Sequence, residues 1–203
     1  PLFANTFSVS GKCKKIVPKM KFVKFILFLT LFLFVNCNEK VAENKNSKII
    51  AKSNNIKILE KNKEVVRIVK EYGPNISSSY EKAVCTELVI QVIEKMSSLN
   101  ERDKKRIRII TDENIQDLLK SESNIPKGVY YALKEKGIGV PIQNQNDVCE
   151  GDFVQFWTET WGHCGIVKSI NPEKKELELY SSFPSTNGYG IQKFNIPKYA
   201  FFV

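Results

Sequence analysis

Apolar and polar positions recur with two different periods along the chain, and the switch between them separates a helical portion from a stranded one. Between residues 59 and 72, Val65, Val66, Ile68 and Val69 gather on one helical face and Gly73-Pro74 marks a stop, which predicts a short helix. Ser77-Ser-Ser-Tyr-Glu supplies capping side chains for a second helix over about 81–96, in which Val84, Leu88, Val89, Val92, Ile93 and Met96 form one stripe. Thr111 is placed to cap another helix through Leu119, and residues 127–136 read as a further helix that ends at Gly137. The basic run 104–108 reads as a solvated helix end. Beyond these, 153–157, 163–170, 177–182, 190–196 and 199–203 are short segments divided by Asn-Pro, Pro-Ser-Thr-Asn-Gly and Ile-Pro turn signals, which predicts an antiparallel sheet. Helices first and strands afterwards give an α+β domain over 58–203 rather than a doubly wound one.

The segment ahead of that domain follows another pattern. Met20-Lys-Phe-Val-Lys, an apolar run over 25–35 and then Asn36-Cys37 have the charged, apolar and cleavage layout of an export signal spanning 20–37. The run is shorter than a comfortable membrane span. It resembles a bacterial lipoprotein signal, which implies that Cys37 carries a lipid anchoring the chain to a membrane at the cell envelope, although Asn36 replaces the usual small residue. Residues 38–57 are polar and aperiodic and are expected to form a tether, and residues 1–19 stand apart as an upstream segment.

A chain of 203 residues suits one domain with appendages. Its formal net charge of +9 favours an anionic partner, for which membrane lipid and acidic cell-wall polymer qualify. Nucleic acid is not expected, because the basic residues follow neither an aromatic-interleaved motif nor a zinc-finger spacing. Cys13, Cys37, Cys85, Cys149 and Cys164 include no Cys-x-x-Cys pair and no histidine at ligand spacing, so neither a structural metal site nor a disulfide framework is indicated. No cofactor is expected.

Two residues carry candidate chemistry. His163 is the single histidine, so any imidazole base must be this one. It opens a segment, Trp161-Gly-His-Cys-Gly-Ile-Val167, whose alternation puts His163, Gly165 and Val167 on one face and Cys164 on the other. Gly165 leaves room beside the ring, and Cys164 and Cys149 read as packed residues. Cys85 lies in the first turn of the strongest helix, where the macrodipole and free amide groups favour a thiolate and can hold an oxyanion.

A cysteine opening a helix, then Gly151-Asp-Phe-Val-Gln-Phe-Trp157, then Trp161-Gly-His-Cys-Gly-Ile-Val167, resembles the NlpC-like and CHAP-like cysteine peptidases of the papain superfamily. The resemblance spans roughly 80–196, with Val84 in place of a common aspartate and Glu87 in place of a small or aromatic residue. It implies a helix packed on an antiparallel sheet, Cys85 as nucleophile, His163 as base and a thioester intermediate. It also implies peptidoglycan stem peptides as substrate and a polar residue on the following strand that orients the ring. A turn centred between Pro172 and Glu173 selects Ser182 for that part, and a one-residue shift selects Ser181. Tyr80 and Trp161 are candidate substrate contacts, with Trp157 beside the same loop. Two other functions fit the same layout: a noncatalytic envelope lipoprotein with a binding module of this shape, and an acyl transferase or protein-processing enzyme using the same dyad.

Overall fold

The structure, a computed structural model, describes residues 45–203, with side chains from Glu60 onward. Five helices, α1 (Lys45–Ile76), α2 (Cys85–Glu94), α3 (Glu101–Arg108), α4 (Ile115–Lys120) and α5 (Gly128–Lys136), precede five strands. The strands are β1 (Phe153–Trp157), β2 (Gly162–Asn171), β3 (Glu176–Phe183), β4 (Gly188–Asn195) and β5 (Tyr199–Phe202). They form one sheet of order β4-β3-β2-β1-β5 with every neighbouring pair antiparallel, so the domain is α+β. Among the described residues no helix is long and apolar enough to cross a membrane. The expectations for residues 1–44, Cys37 among them, lie outside the described residues.

Helix α1 differs from its expected span at both ends. It begins at Lys45, inside the segment expected to be a tether, and passes through Gly73-Pro74 to Ile76. Proline removes one amide donor, so the bond from residue 74 to the Lys70 carbonyl is missing, but the Ser77 amide still reaches the Gly73 carbonyl at 3.0 Å and the last turn closes. A Cβ on Gly73 would stand 2.5 Å from the Tyr189 ring, so glycine here answers to packing against β4 and not to a helix stop. Buried Val65, Ile68 and Val69 turn toward the sheet, while Arg67 pairs with Glu64 and Glu71 on the solvent side.

Helix α2 starts later than its pattern suggests. Its N-cap is Val84, extended and with no polar side chain to cap the helix, while the Ser77 hydroxyl lies 2.7 Å from both the Ala83 carbonyl and Ser182 Oγ. The later start makes Cys85 the first helical residue. Helix α3 is closed by a reciprocal capping box between Asn100 and Asp103, which turns the basic run into a proper helix tied to α5 through Lys136 and Asp103 at 3.1 Å. Helix α4 is capped by Asn114 rather than Thr111, whose hydroxyl accepts from the Glu113 amide instead. Helix α5 ends on left-handed Gly137 as its sequence indicates.

The helices cover one face of the sheet. Leu88, Val89 and Val92 of α2 are fully buried with Val69 of α1 against Phe153, Ile166 and Tyr180, each aliphatic side chain contributing about 1.5–3 kcal/mol by burial. The opposite face holds a second cluster of Val154, Phe156, Val167, Leu177, Leu179 and Phe202. Asn62 of α1 donates to buried Asp152 at 2.7 Å, and the Cys149 amide donates to its other oxygen at 2.6 Å, fixing the turn that leads into β1.

Candidate active site

The first turn of α2 meets the start of β2 across a cavity of about 230 Å³. Cys85 and Thr86 form one wall; Gln155, Trp157, Gly162, His163 and Cys164 form the other. Both residues singled out from the sequence therefore line the cavity, Cys85 from the helix face of the sheet and His163 from the start of a strand whose alternation turns the ring to the opposite face, beside Phe156. Trp157 is held in the wall by its indole donating to the Pro126 carbonyl at 2.6 Å, and it lies over Gly162, where a Cβ would come within 2.4 Å of its ring. At the rim Arg108 grips Glu87 with two hydrogen bonds of 2.6 and 3.1 Å, two positions beyond Cys85 along α2.

The thiol of Cys85 is brought down to about 4 from the ordinary thiol range. Hydrogen bonding from the Cys164 thiol is the largest cause; burial opposes it, and the His163 ring adds a hydrogen bond and charge attraction. The helix start supplies further stabilisation, because the α2 amides at this end have no carbonyl partners within the helix. Cys164 moves the other way, its thiol pushed well up by its neighbour Cys85 and by burial. Chemically, Cys85 is the thiolate of the pair and Cys164 the hydrogen-bond donor.

His163 is 3 % exposed and sits in an aromatic nest, with ring centroids of Phe183, Phe194 and Phe156 at 5.0, 5.3 and 5.7 Å. Its strand start pairs with β1 alone, since the β2–β3 ladder begins at Ile166↔Tyr180. Nε2 is buried and has no hydrogen-bond partner among the described residues.

Neither serine expected to orient the ring does so. The β2–β3 turn pairs Asn171 with Glu176, and a bulge between Val167 and Ser169 then changes the register to Ile166↔Tyr180. Continued to the strand start, that register sets Phe183 opposite His163 and turns Ser182 to the helix face, opposite Cys164. There Ser182 Oγ donates to the Ala83 carbonyl at 2.5 Å and accepts from Ser77. Ser181 shares the histidine's face but donates to Gln192 at 2.6 Å. The room expected beside Gly165 is filled by Ser181, whose Cβ is 3.1 Å from where a glycine Cβ would stand.

The remaining expectations divide. Tyr80 is half-buried near Cys85, its phenol pushed up by burial and by the charge of that thiol. Trp161 is 40 % exposed and packs on Phe156 and Phe183 at 5.7 and 5.8 Å, outside the cavity wall that Trp157 forms. Cys149 is exposed rather than packed. Sequence reasoning missed Gln155. It is 2 % exposed, faces the cavity opposite Cys164 in the β1–β2 ladder, and its Oε1 has no partner among the described residues. A glutamine on the inward register of an otherwise apolar strand, between Val154 and Phe156, was the signal available.

Ile109, left-handed at φ 53°, is shared between this cavity and a shallow groove along α3 lined by Arg102, Lys105, Arg106 and Tyr131. Arg106 lies 4.6 Å over the Tyr131 ring. Among the described residues no cluster of three or more His, Cys, Asp or Glu side chains is arranged to hold a metal ion. Compared with known proteins, the chain matches no family model, no curated protein and no solved structure.

Proposed function

We propose that this protein is a cysteine hydrolase of papain-like type that cleaves amide bonds in cell-wall peptides, tethered at the envelope through a lipid on Cys37. The observation that carries the reading is one cavity lined both by a thiol at the first position of a helix, lowered toward the thiolate, and by the single imidazole of the chain. Cys85 Sγ attacks the amide carbonyl, forming a tetrahedral oxyanion. The α2 amides are the donors available to hold that charge. Collapse breaks the C–N bond as His163 delivers a proton to the leaving amine, leaving a thioester. Water then attacks the thioester with His163 accepting its proton, and collapse breaks the C–S bond, releasing the acid and restoring the thiolate and the protonated ring. The wall-peptide substrate rests on the resemblance to NlpC-like and CHAP-like peptidases and on the expected anchor.

Mass analysis of peptidoglycan fragments after incubation with the protein tests this. New stem-peptide ends are expected with the parent chain and none with Cys85→Ala; equal cleavage by the variant ends the reading. A second reading, a noncatalytic binding module, is favoured by one observation: Nε2 of His163 meets aromatic carbon where a ring-orienting polar group is expected. Fast labelling of Cys85 by a thiol reagent near neutral pH together with no hydrolysis of any wall fragment selects it.

A further inference from the structure

We infer that Cys85 and Cys164 form a built-in site of reversible oxidation, in which Cys164 captures oxidised Cys85 as an intramolecular disulfide. This goes beyond hydrolysis and does not depend on it. Cys164 follows His163 in β2 and faces the helices, 1 % exposed, within the core cluster on which half-buried Cys85 packs. Both line the same cavity, so a small oxidant that reaches Cys85 meets the second sulfur directly behind it. Cys85 packs on the cluster that contains Cys164, and each sulfur moves the proton affinity of the other in the opposite direction. Closing a disulfide of ~2.05 Å requires the first α2 residue to move toward β2. That residue follows an extended Val84 with no side-chain cap, so the helix tip is held there by packing and not by a capping bond.

The chemistry balances with a hydroperoxide as oxidant. The Cys85 thiolate attacks the outer peroxide oxygen, the O–O bond breaks, and the departing oxygen leaves as alcohol or water after taking a proton; Cys85 is now a sulfenic acid. Loss of the thiolate charge removes what held the Cys164 proton in place. Cys164 sulfur attacks Cys85 sulfur, the S–O bond breaks, and hydroxide leaves with the Cys164 proton as water. Two thiols have lost two electrons to the peroxide. Because Cys164 is buried, external thiols and oxidants reach Cys85 first, and the disulfide protects it from the irreversible sulfinic state.

The test uses the full chain carrying Cys149→Ser, so that the tryptic fragment containing Cys164 holds no other cysteine. After brief hydrogen peroxide treatment and alkylation, non-reducing mass spectrometry is expected to show the Cys85 fragment joined to the Cys164 fragment. Dithiothreitol should return both thiols to labelling. Adding Cys164→Ala should instead carry Cys85 to the sulfinic acid, which dithiothreitol does not reverse. The inference is overturned if the parent accumulates sulfinic Cys85 as fast as the Cys164→Ala variant, or if neither sulfur oxidises under conditions that oxidise free glutathione. Hydrolytic activity is read separately: a disulfide without any hydrolysis leaves this inference standing and removes the hydrolase reading, and hydrolysis without a disulfide does the reverse.

Discussion

At the scale of single residues, the reactivity of Cys85 follows from where its sulfur sits. An ordinary thiol near 8.5 is almost entirely protonated at mildly acidic pH, whereas Cys85, brought down to about 4, stays a thiolate. Alkylation by iodoacetamide is therefore expected to hold its rate from neutral pH down toward 4 and fall below it; a rate that declines below pH 8 contradicts the arrangement. Stability carries the same signature. Between the folded and unfolded values the unfolded chain binds the extra proton, so the contribution is complete above the ordinary thiol range and is lost as pH falls toward about 4. The aromatic partner of His163 gives a second prediction. Phe183→Asn offers Nε2 a polar neighbour in the register position opposite the ring, and turnover is expected to rise while the melting temperature falls; unchanged turnover means that orientation of the ring is set elsewhere.

Elements are positioned by contacts that a linear pattern does not contain. The start of α2 is set from behind by Ser77 and Ser182, which converge on the Ala83 carbonyl. Ser182→Ala is expected to cost about 1–3 kcal/mol in denaturant unfolding and to leave the alkylation rate of Cys85 unchanged. A large loss of reactivity at unchanged stability would return Ser182 to the catalytic apparatus. Nearby, Gly188 adopts φ +122°, and a Cβ there would stand 2.5 Å from the Ser77 carbonyl, so the same loop is fitted to the first residue of β4. The strands were legible because alternation and turn residues are local: β1 has its expected bounds, and the other four agree to within two residues. Register was not. The turn lies one residue later than its sequence suggests and the bulge takes back half of the resulting shift, so phenylalanine and not serine stands opposite His163; bulges leave no dependable mark in composition.

For the whole molecule, the Asn62–Asp152 contact joins the long helix α1 to the turn that enters the central strands. Burial raises the Asp152 carboxyl while the Cys149 amide and Asn62 oppose that rise, so removing one donor leaves buried charge less satisfied. Asn62→Ala is expected to lower unfolding free energy by about 1–3 kcal/mol and to speed amide exchange in β1. If exchange quickens only within α1, the contact does not couple the two elements. The groove along α3, lined by Arg102, Lys105 and Arg106 together with Glu101, puts a net positive charge beside the cavity.

By itself the sequence determined the class of fold, helices then an antiparallel sheet, and narrowed the chemistry to Cys85 and His163, because periodicity is a local property and a single histidine leaves no choice. Tertiary structure alone decided what surrounds them: Cys164 beside the thiolate, Gln155 in the cavity wall and carbon around Nε2. Each of these depends on register and packing across elements distant in the chain, where a shift of one residue turns every side chain to the other face.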